Sequence, residues 1–231
     1  MLFRSRLLVS VLGVSPAVKE ALLLAGVISV ALAALAAIGQ DDVKRMLAYC
    51  SISQVGYIIL GIGCATPLGL AAAVFHFFNH AVFKSLLFVN AGCLEMATGE
   101  RKMHRLCGLG SRMPVTAATS FFASFSAAGM PPLAGFWSKL MVVMALWSCG
   151  ARAYALVAIL AGVLTLGYFL ILQRDLFFAE PEEALPARIG DPPAGMVLLQ
   201  VLLAAIILAA GLFFPALLRG FILPAGAVLG A

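Results

Sequence analysis

No aspartate or glutamate stands in the middle of any long apolar stretch of this sequence, and charged residues of all kinds fill only 11% of its 231 positions. That scarcity, with 63% hydrophobic residues and a mean hydropathy of +1.09, lies far outside the range of soluble domains. An integral membrane protein is expected. Cysteine chemistry is missing too: Cys50, Cys64, Cys93, Cys107 and Cys149 are scattered, with no Cys-x-x-Cys pair and no close Cys/His group. Neither a disulfide framework nor an iron–sulfur or zinc site is indicated, and no cofactor is expected. There is no complete Gly-x-Gly-x-x-Gly, no P-loop and no nucleophile elbow; Gly61-Ile62-Gly63 lies inside an apolar run and reads as helix packing. The chain is expected to hold no catalytic centre of its own.

What remains is a set of apolar spans. At about 20 residues per crossing, the length allows six or seven helices and no separate soluble domain, so residues 1–231 read as one all-α, polytopic transmembrane bundle. The spans fall at Ala21–Gly39, Met46–Cys64, Leu68–Leu94, Pro114–Ala128, Phe136–Cys149, Ala153–Leu172 and Ala194–Leu218, with an acidic, Pro-containing loop over Arg174–Pro193. Met1–Val14, with Arg4 and Arg6 before a short apolar stretch, faintly resembles a signal peptide, but Ser15–Lys19 offers no small-residue cleavage site.

The net charge of +5 does not indicate nucleic acid, because most Lys and Arg flank apolar runs, where lipid head groups and topology account for them. If Phe136–Cys149 crosses on its own, Lys44, Arg45, Arg101, Lys102, Arg105, Arg112, Arg152 and Arg219 share one side against Arg4, Arg6, Lys19, Arg174 and Arg188. If the Pro-Pro segment belongs to one kinked span, Arg152 and Arg219 trade places with Arg174 and Arg188, and the balance stays at eight to five. In both cases the richer side is expected to be cytoplasmic.

Against this apolar background two features carry chemistry. His76, His80 and Lys84 stand four apart inside Leu68–Leu94, which places them on one helix face over roughly 12 Å of axis. A lysine at the bilayer centre costs about 2.5 to 3.5 kcal/mol on insertion scales, so such groups normally line a wet or protein-enclosed path. Imidazole can both give and accept a proton near neutrality, whereas a lysine held permanently charged would trap one. The competing structural account satisfies the histidines with backbone carbonyls and lets Lys84 snorkel, but Lys84 lies about ten residues from the end of the run, too far to snorkel.

The second feature is Gly129-Met130-Pro131-Pro132-Leu133-Ala134-Gly135. Two prolines remove two backbone donors and the glycines loosen the chain, so a helix break centred on Gly129, Pro131, Pro132 and Gly135 is expected at membrane depth, with Lys139 one turn beyond it. A broken helix at that depth must face protein or a water-filled cavity. Lys44, within Asp41-Asp42-Val43-Lys44-Arg45, is a weaker candidate, because charges at a helix boundary usually act as anchors. With two or three basic groups buried and no acid on any span, a compensating carboxylate is expected from another chain.

Three ordered segments, Asp41 to Tyr57, Phe75 to Phe88 and Gly129 to Lys139, together resemble the antiporter-like membrane subunits shared by respiratory complex I (NADH-quinone oxidoreductase), membrane-bound hydrogenases and Mrp-type cation/proton antiporters. The resemblance implies a proton path in which Lys84 is the central lysine with His76 and His80 beside it. It makes Lys139 the lysine of the second broken helix and Lys44 the lysine of the Asp-x-Lys-Arg stretch. It also implies other membrane subunits of a multi-subunit complex as partners, and a prokaryotic cytoplasmic membrane as the location. Members of that family have about fourteen helices in two inverted repeats, and this chain resembles the second repeat only. Its first-half glutamate and partner lysine have no counterpart here, so a split or truncated gene product, or a separate chain supplying the first-half helices, is expected.

Overall fold

A computed structural model describes residues 15–180, 189–222 and 224; Arg4, Arg6, Arg188 and the signal-like stretch lie outside them. Among the described residues there are seven substantial helices and no strand: α1 (Pro16–Ile38), α2 (Val43–Gly63), α3 (Pro67–Thr98), α4 (Pro114–Ala128), α5 (Ala134–Ser148), α6 (Arg152–Gln173) and α7 (Ala194–Leu212), followed by the short α8 (Phe214–Leu217). Five apolar stretches, Pro16–Ile38, Val43–Gly63, Pro67–Thr98, Arg152–Phe178 and Ala194–Leu212, are long enough to cross a bilayer. The all-helical membrane bundle is as expected.

Local chemistry sets the helix starts a few residues ahead of the apolar periodicity. Ser15 accepts from Val18 N at 3.3 Å with Pro16 in the first turn, Asp42 accepts from Arg45 N at 2.8 Å, and Thr66 accepts from Gly69 N at 3.1 Å with Pro67 next. These caps move the expected starts at Ala21, Met46 and Leu68 back to Pro16, Val43 and Pro67. α3 runs on past Leu94 to Thr98 and closes on Gly99, whose φ of 74° suits a residue without a side chain. Two further boundaries are corrected. α6 continues through a wide turn at Arg174–Phe178, so the loop begins later than Arg174, and the last span breaks at Phe213 instead of reaching Leu218.

α4 and α5 form one span broken in the middle. Asp191, just ahead of α7, holds the first turn of α4, while the last turn of α7 packs on the break: a Cβ on Gly211 would meet Pro132 O at 2.2 Å. Beyond the break, α5 descends beside the start of α3 and the end of α2, sharing a core of Leu23, Leu60, Ala72, Phe75, Val142 and Leu146. The reading in which Phe136–Cys149 crosses alone is therefore excluded by packing. Lys44, Arg45, Arg101, Lys102, Arg105, Arg112 and Arg174 gather on one face of the bundle, and Lys19, Arg152 and Arg219 on the other. We call these the basic and the opposite face.

Two apolar clusters fill the interior. The first, towards the basic face, packs Leu47, Phe83, Leu86, Leu109, Met113, Phe169 and Leu172; the second occupies the opposite half. The outer surface is apolar as lipid requires, with Leu32, Phe77, Leu160, Val163 and Leu202 all more than half exposed. Buried polar groups collect where the two clusters meet.

Candidate functional site

The junction is built around the helix break. Gly129 ends α4 at φ 89°, and the chain re-enters a helix at Ala134. Two hydrogen bonds tie the start of α5 to α3: Asn79 Nδ2 donates to Ala134 O at 3.1 Å, and His76 Nδ1 meets Ser138 Oγ at 2.9 Å. Ser138 Oγ also reaches Gly135 O at 3.1 Å. The other ring nitrogen of His76, Nε2, is buried with no partner among the described residues.

Lys84 sits near the middle of α3, 5% exposed, and its Nζ donates to Leu47 O at 2.6 Å on α2. The Cys50 thiol lies beside it. Lys139, 8% exposed, donates to Ala128 O at 3.3 Å, the last carbonyl of α4, and its ammonium stands 4.8 Å over the Tyr57 ring. The break thus supplies Lys139 with a carbonyl that an unbroken helix would have used internally. Tyr57 also lies 5.5 Å from the His76 ring, with its hydroxyl fixed on Ala158 O at 2.5 Å.

One face of α2 bridges the two lysines. Leu47 O, Cys50, Gln54 and Tyr57 follow one another at helical spacing, with Lys84 at one end and Lys139 at the other. Among the described residues, fully buried Gln54 has no hydrogen-bond partner on either Oε1 or Nε2, and His80 Nε2 has none either; the Tyr168 hydroxyl faces Cys50 and Thr165. Buried polar atoms are almost always hydrogen-bonded, so this group calls for water or for a polar group from outside the chain. Beside Lys139 a cleft of about 320 Å³, lined by Tyr57, Gly129, Leu140, Ile159 and Val163, opens between α5 and α6.

The structure buries His76, Lys84 and Lys139 and sets His76 near Lys139, with half-buried His80 between His76 and Lys84 along α3. It does not bring Lys44 in. Lys44 pairs with Glu95 at the basic face, each about one-third exposed, within a clasp that joins the α1–α2 turn to the loop after α3. Val43 N donates to Arg101 O at 3.1 Å and Met103 N to Asp41 O at 2.7 Å; Arg101 faces Asp42 at 3.3 Å, and His104 pairs with Asp41 at 2.8 Å. Gln54, Cys50, Tyr57 and Ser138 escaped the sequence reading, since an uncharged side chain in an apolar helix is legible as functional only when its neighbours are known.

The clasp responds to acid. The His104 side chain, hydrogen-bonded to Asp41, holds its carboxyl below the usual value of 3.8. The backbone amides of Arg101 and Lys102 hold Glu100 down at about 2. A depressed carboxyl stabilises the fold above its unfolded pKa and loses that contribution as pH falls through its folded one. Because the Asp41–His104 pair is half-exposed, its contribution is ~0.5 kcal/mol. The protection factor of the Met103 amide, corrected for the intrinsic pH dependence of exchange, is expected to hold at pH 5 and to fall below 3.8, and in His104→Ala the Asp41 carboxyl should titrate closer to 3.8. Unchanged titration of Asp41 in that variant would contradict the assignment.

The fold and site define a polytopic helical membrane bundle with buried lysine and histidine set around a broken helix. The chain belongs to the NADH:quinone oxidoreductase/Mrp antiporter transmembrane family, which it matches over residues 1–165. It is 35% identical to NADH-quinone oxidoreductase subunit N 2 of Syntrophobacter fumaroxidans over 82% of its length, covering 39% of that relative. It superposes on a chain of the Mrp complex from Dietzia sp. DQ12-45-1b with a TM-score of 0.84 at 27% identity, over 92% of this chain and 47% of that one. A chain of respiratory complex I from Thermus thermophilus matches at TM-score 0.80 and 26% identity, over 92% of this chain and 45% of that one. The chain thus spans less than half the length of each of these three.

Proposed function

We propose that this chain is a proton-translocating, antiporter-like subunit of a redox-driven membrane complex of the NADH-quinone oxidoreductase or membrane-bound hydrogenase type, in a prokaryotic cytoplasmic membrane. Protons move through Lys139, His76, His80 and Lys84. The observation that carries this reading is the pair of buried lysines at the two ends of one α2 face whose amide atoms at Gln54 have no partner among the described residues. Redox chemistry elsewhere in the complex changes the field at the lysines, and each lysine alternately accepts and releases a proton. Lys44, ion-paired with Glu95, acts as an anchor at the rim of the path. The compensating carboxylate comes from outside the described residues, and the cleft beside Lys139 is a place where such an acid can approach.

The test is proton translocation in vesicles that hold the chain with its native membrane partners. Lys139→Ala is expected to lower flux severalfold without loss of the complex; full flux in that variant would contradict the reading. The superposition on the Mrp complex favours one other reading, a Na⁺/H⁺ exchanger subunit. Under that reading a sodium gradient alone drives proton movement in the same vesicles, whereas a redox-driven subunit requires turnover of its electron donor. A scaffold with no transport role predicts identical flux with and without the intact lysines.

A further inference from the structure

A second polar system crosses the apolar cluster nearer the basic face, apart from the lysines. Asp191, just ahead of α7, accepts from Val115 N and Thr116 N at 3.0 and 2.9 Å and from Thr116 Oγ1 at 2.8 Å. The Gln200 amide reaches Thr116 Oγ1 at 3.2 Å and the Asn90 amide at 2.9 Å, and the Asn90 amide lies 3.2 Å from Thr119 Oγ1. Next along α4, Ser120 and Ser124 each accept from Gln173 Nε2 at 2.9 Å. One helical turn further, about 6 Å along the axis, is the Ala128 carbonyl that holds Lys139.

Every member of this belt except Asp191 is at most 4% exposed. Isolated amides and hydroxyls often serve as glue between membrane helices, contributing about 0.6 kcal/mol each. Three features go beyond glue. The α4 members, Thr116, Thr119, Ser120 and Ser124, form one stripe that leads from a surface carboxylate to the helix break. One end of the fully buried Gln200 amide has no partner among the described residues. The Asn90 amide nitrogen reaches Leu86 O at 3.2 Å and its oxygen accepts from Ser120 N at 3.0 Å, which fixes it against the α4 stripe. Repeated proton passage needs hydroxyls with a proton to give, and Ser120 and Ser124, as acceptors from Gln173, keep their own protons to donate.

We propose that this belt is the hydrated access route by which protons pass between the basic face and Lys139, with Asp191 as its outer carboxylate. The proposal rests on the proton-transport reading above and names the residues of its approach. Outward, the Lys139 ammonium gives a proton to water and becomes an amine. At each hop one O–H bond breaks and the next forms, with the amides only orienting the chain, until the Asp191 carboxylate takes the proton and releases it to solvent. Inward, the same steps reverse, and no electrons move.

The test is thiol accessibility in the full chain assembled with its native partners, after replacing the five native cysteines by alanine or serine. The probe is methanethiosulfonate ethylammonium applied from the basic face. Ser124→Cys is expected to react at least ~10-fold faster than Ser53→Cys, which lies in the dry α1–α2 contact on Val30 O. Protection of Ser124→Cys equal to that of Ser53→Cys, while the surface control Lys102→Cys reacts, overturns the belt as a wet route, whatever the lysines do. Flux supplies the second readout. Asp191→Asn keeps an acceptor for the α4 amides but cannot carry a proton, and is expected to lower flux severalfold. If Lys139→Ala loses flux and Asp191→Asn does not, the belt is overturned and the lysine path stands; if neither loses flux, both fall.

Discussion

Proton translocation by the assembled complex is expected to fall to background when Lys84 is replaced by alanine, with the complex still assembling. The two halves of that expectation have separate causes. Lys84 stands near the middle of α3 with a single protein oxygen, Leu47 O, in hydrogen-bond contact. Placing a lysine at such a depth costs about 2.5 to 3.5 kcal/mol on insertion scales, so removing it relieves the bundle rather than breaking it. Lys84→Met, which keeps the stem's volume beside Phe88, is expected to be at least as stable as the parent and equally inactive. Lys84→Arg separates charge from titration. A guanidinium keeps the positive charge and cannot give up its proton, so this variant too should lose flux. Flux retained in the arginine variant would mean that Lys84 supplies only a fixed field.

Gly135→Ala is expected to destroy the fold at the break. A Cβ there would lie 1.8 Å from Ser126 O and 2.7 Å from Ser126 C, both backbone atoms of α4 that cannot swing away. The first turn of α5 would have to separate from α4, carrying Ser138 from His76 and Ala134 from Asn79. Overpacking against movable side chains already costs about 1 to 3 kcal/mol, and a backbone clash at this closeness lies at or above the top of that range. Detergent-extracted complex should therefore show a sharply lowered unfolding temperature or no recoverable chain. Gly92→Ala is the contrasting case: nothing lies within 4 Å of its Cβ on α3, and helix propensity favours the change by about 1 kcal/mol. Equal stability of the two variants would contradict the close α4–α5 crossing.

The sequence made the class, the spans, the ladder and the break legible, because each has a local cause. Apolar length marks the helices, four-residue spacing puts His76, His80 and Lys84 on one face, and consecutive prolines break a helix wherever they fall. Periodicity could not tell whether the segment after Pro132 crosses alone. The packing of Gly211 on Pro132, 79 positions away in sequence, decides that. Nor could it reveal the α2 face joining the lysines, since Cys50, Gln54 and Tyr57 read singly as ordinary helix residues. The belt was hidden for the same reason: Asn90, Gln173 and Gln200 are lone amides on three different helices, and only their convergence on α4 gives them meaning. Lys44 shows the reverse. Its motif suggested the path, but Glu95, which lies in the last turn of α3 because that helix outruns its apolar stretch, holds it at the surface.

The most direct test of the claim that Lys84 and Lys139 share a wet, protein-lined path is a cryo-electron microscopy map, at a resolution that shows water, of the chain with its native partners. Ordered water is expected along the α2 face, within hydrogen-bond reach of Gln54, His76 Nε2 and both lysine ammonium groups. A dry interior there, with Gln54 and His76 satisfied by side chains of a partner that seal Lys84 from Lys139, would contradict it.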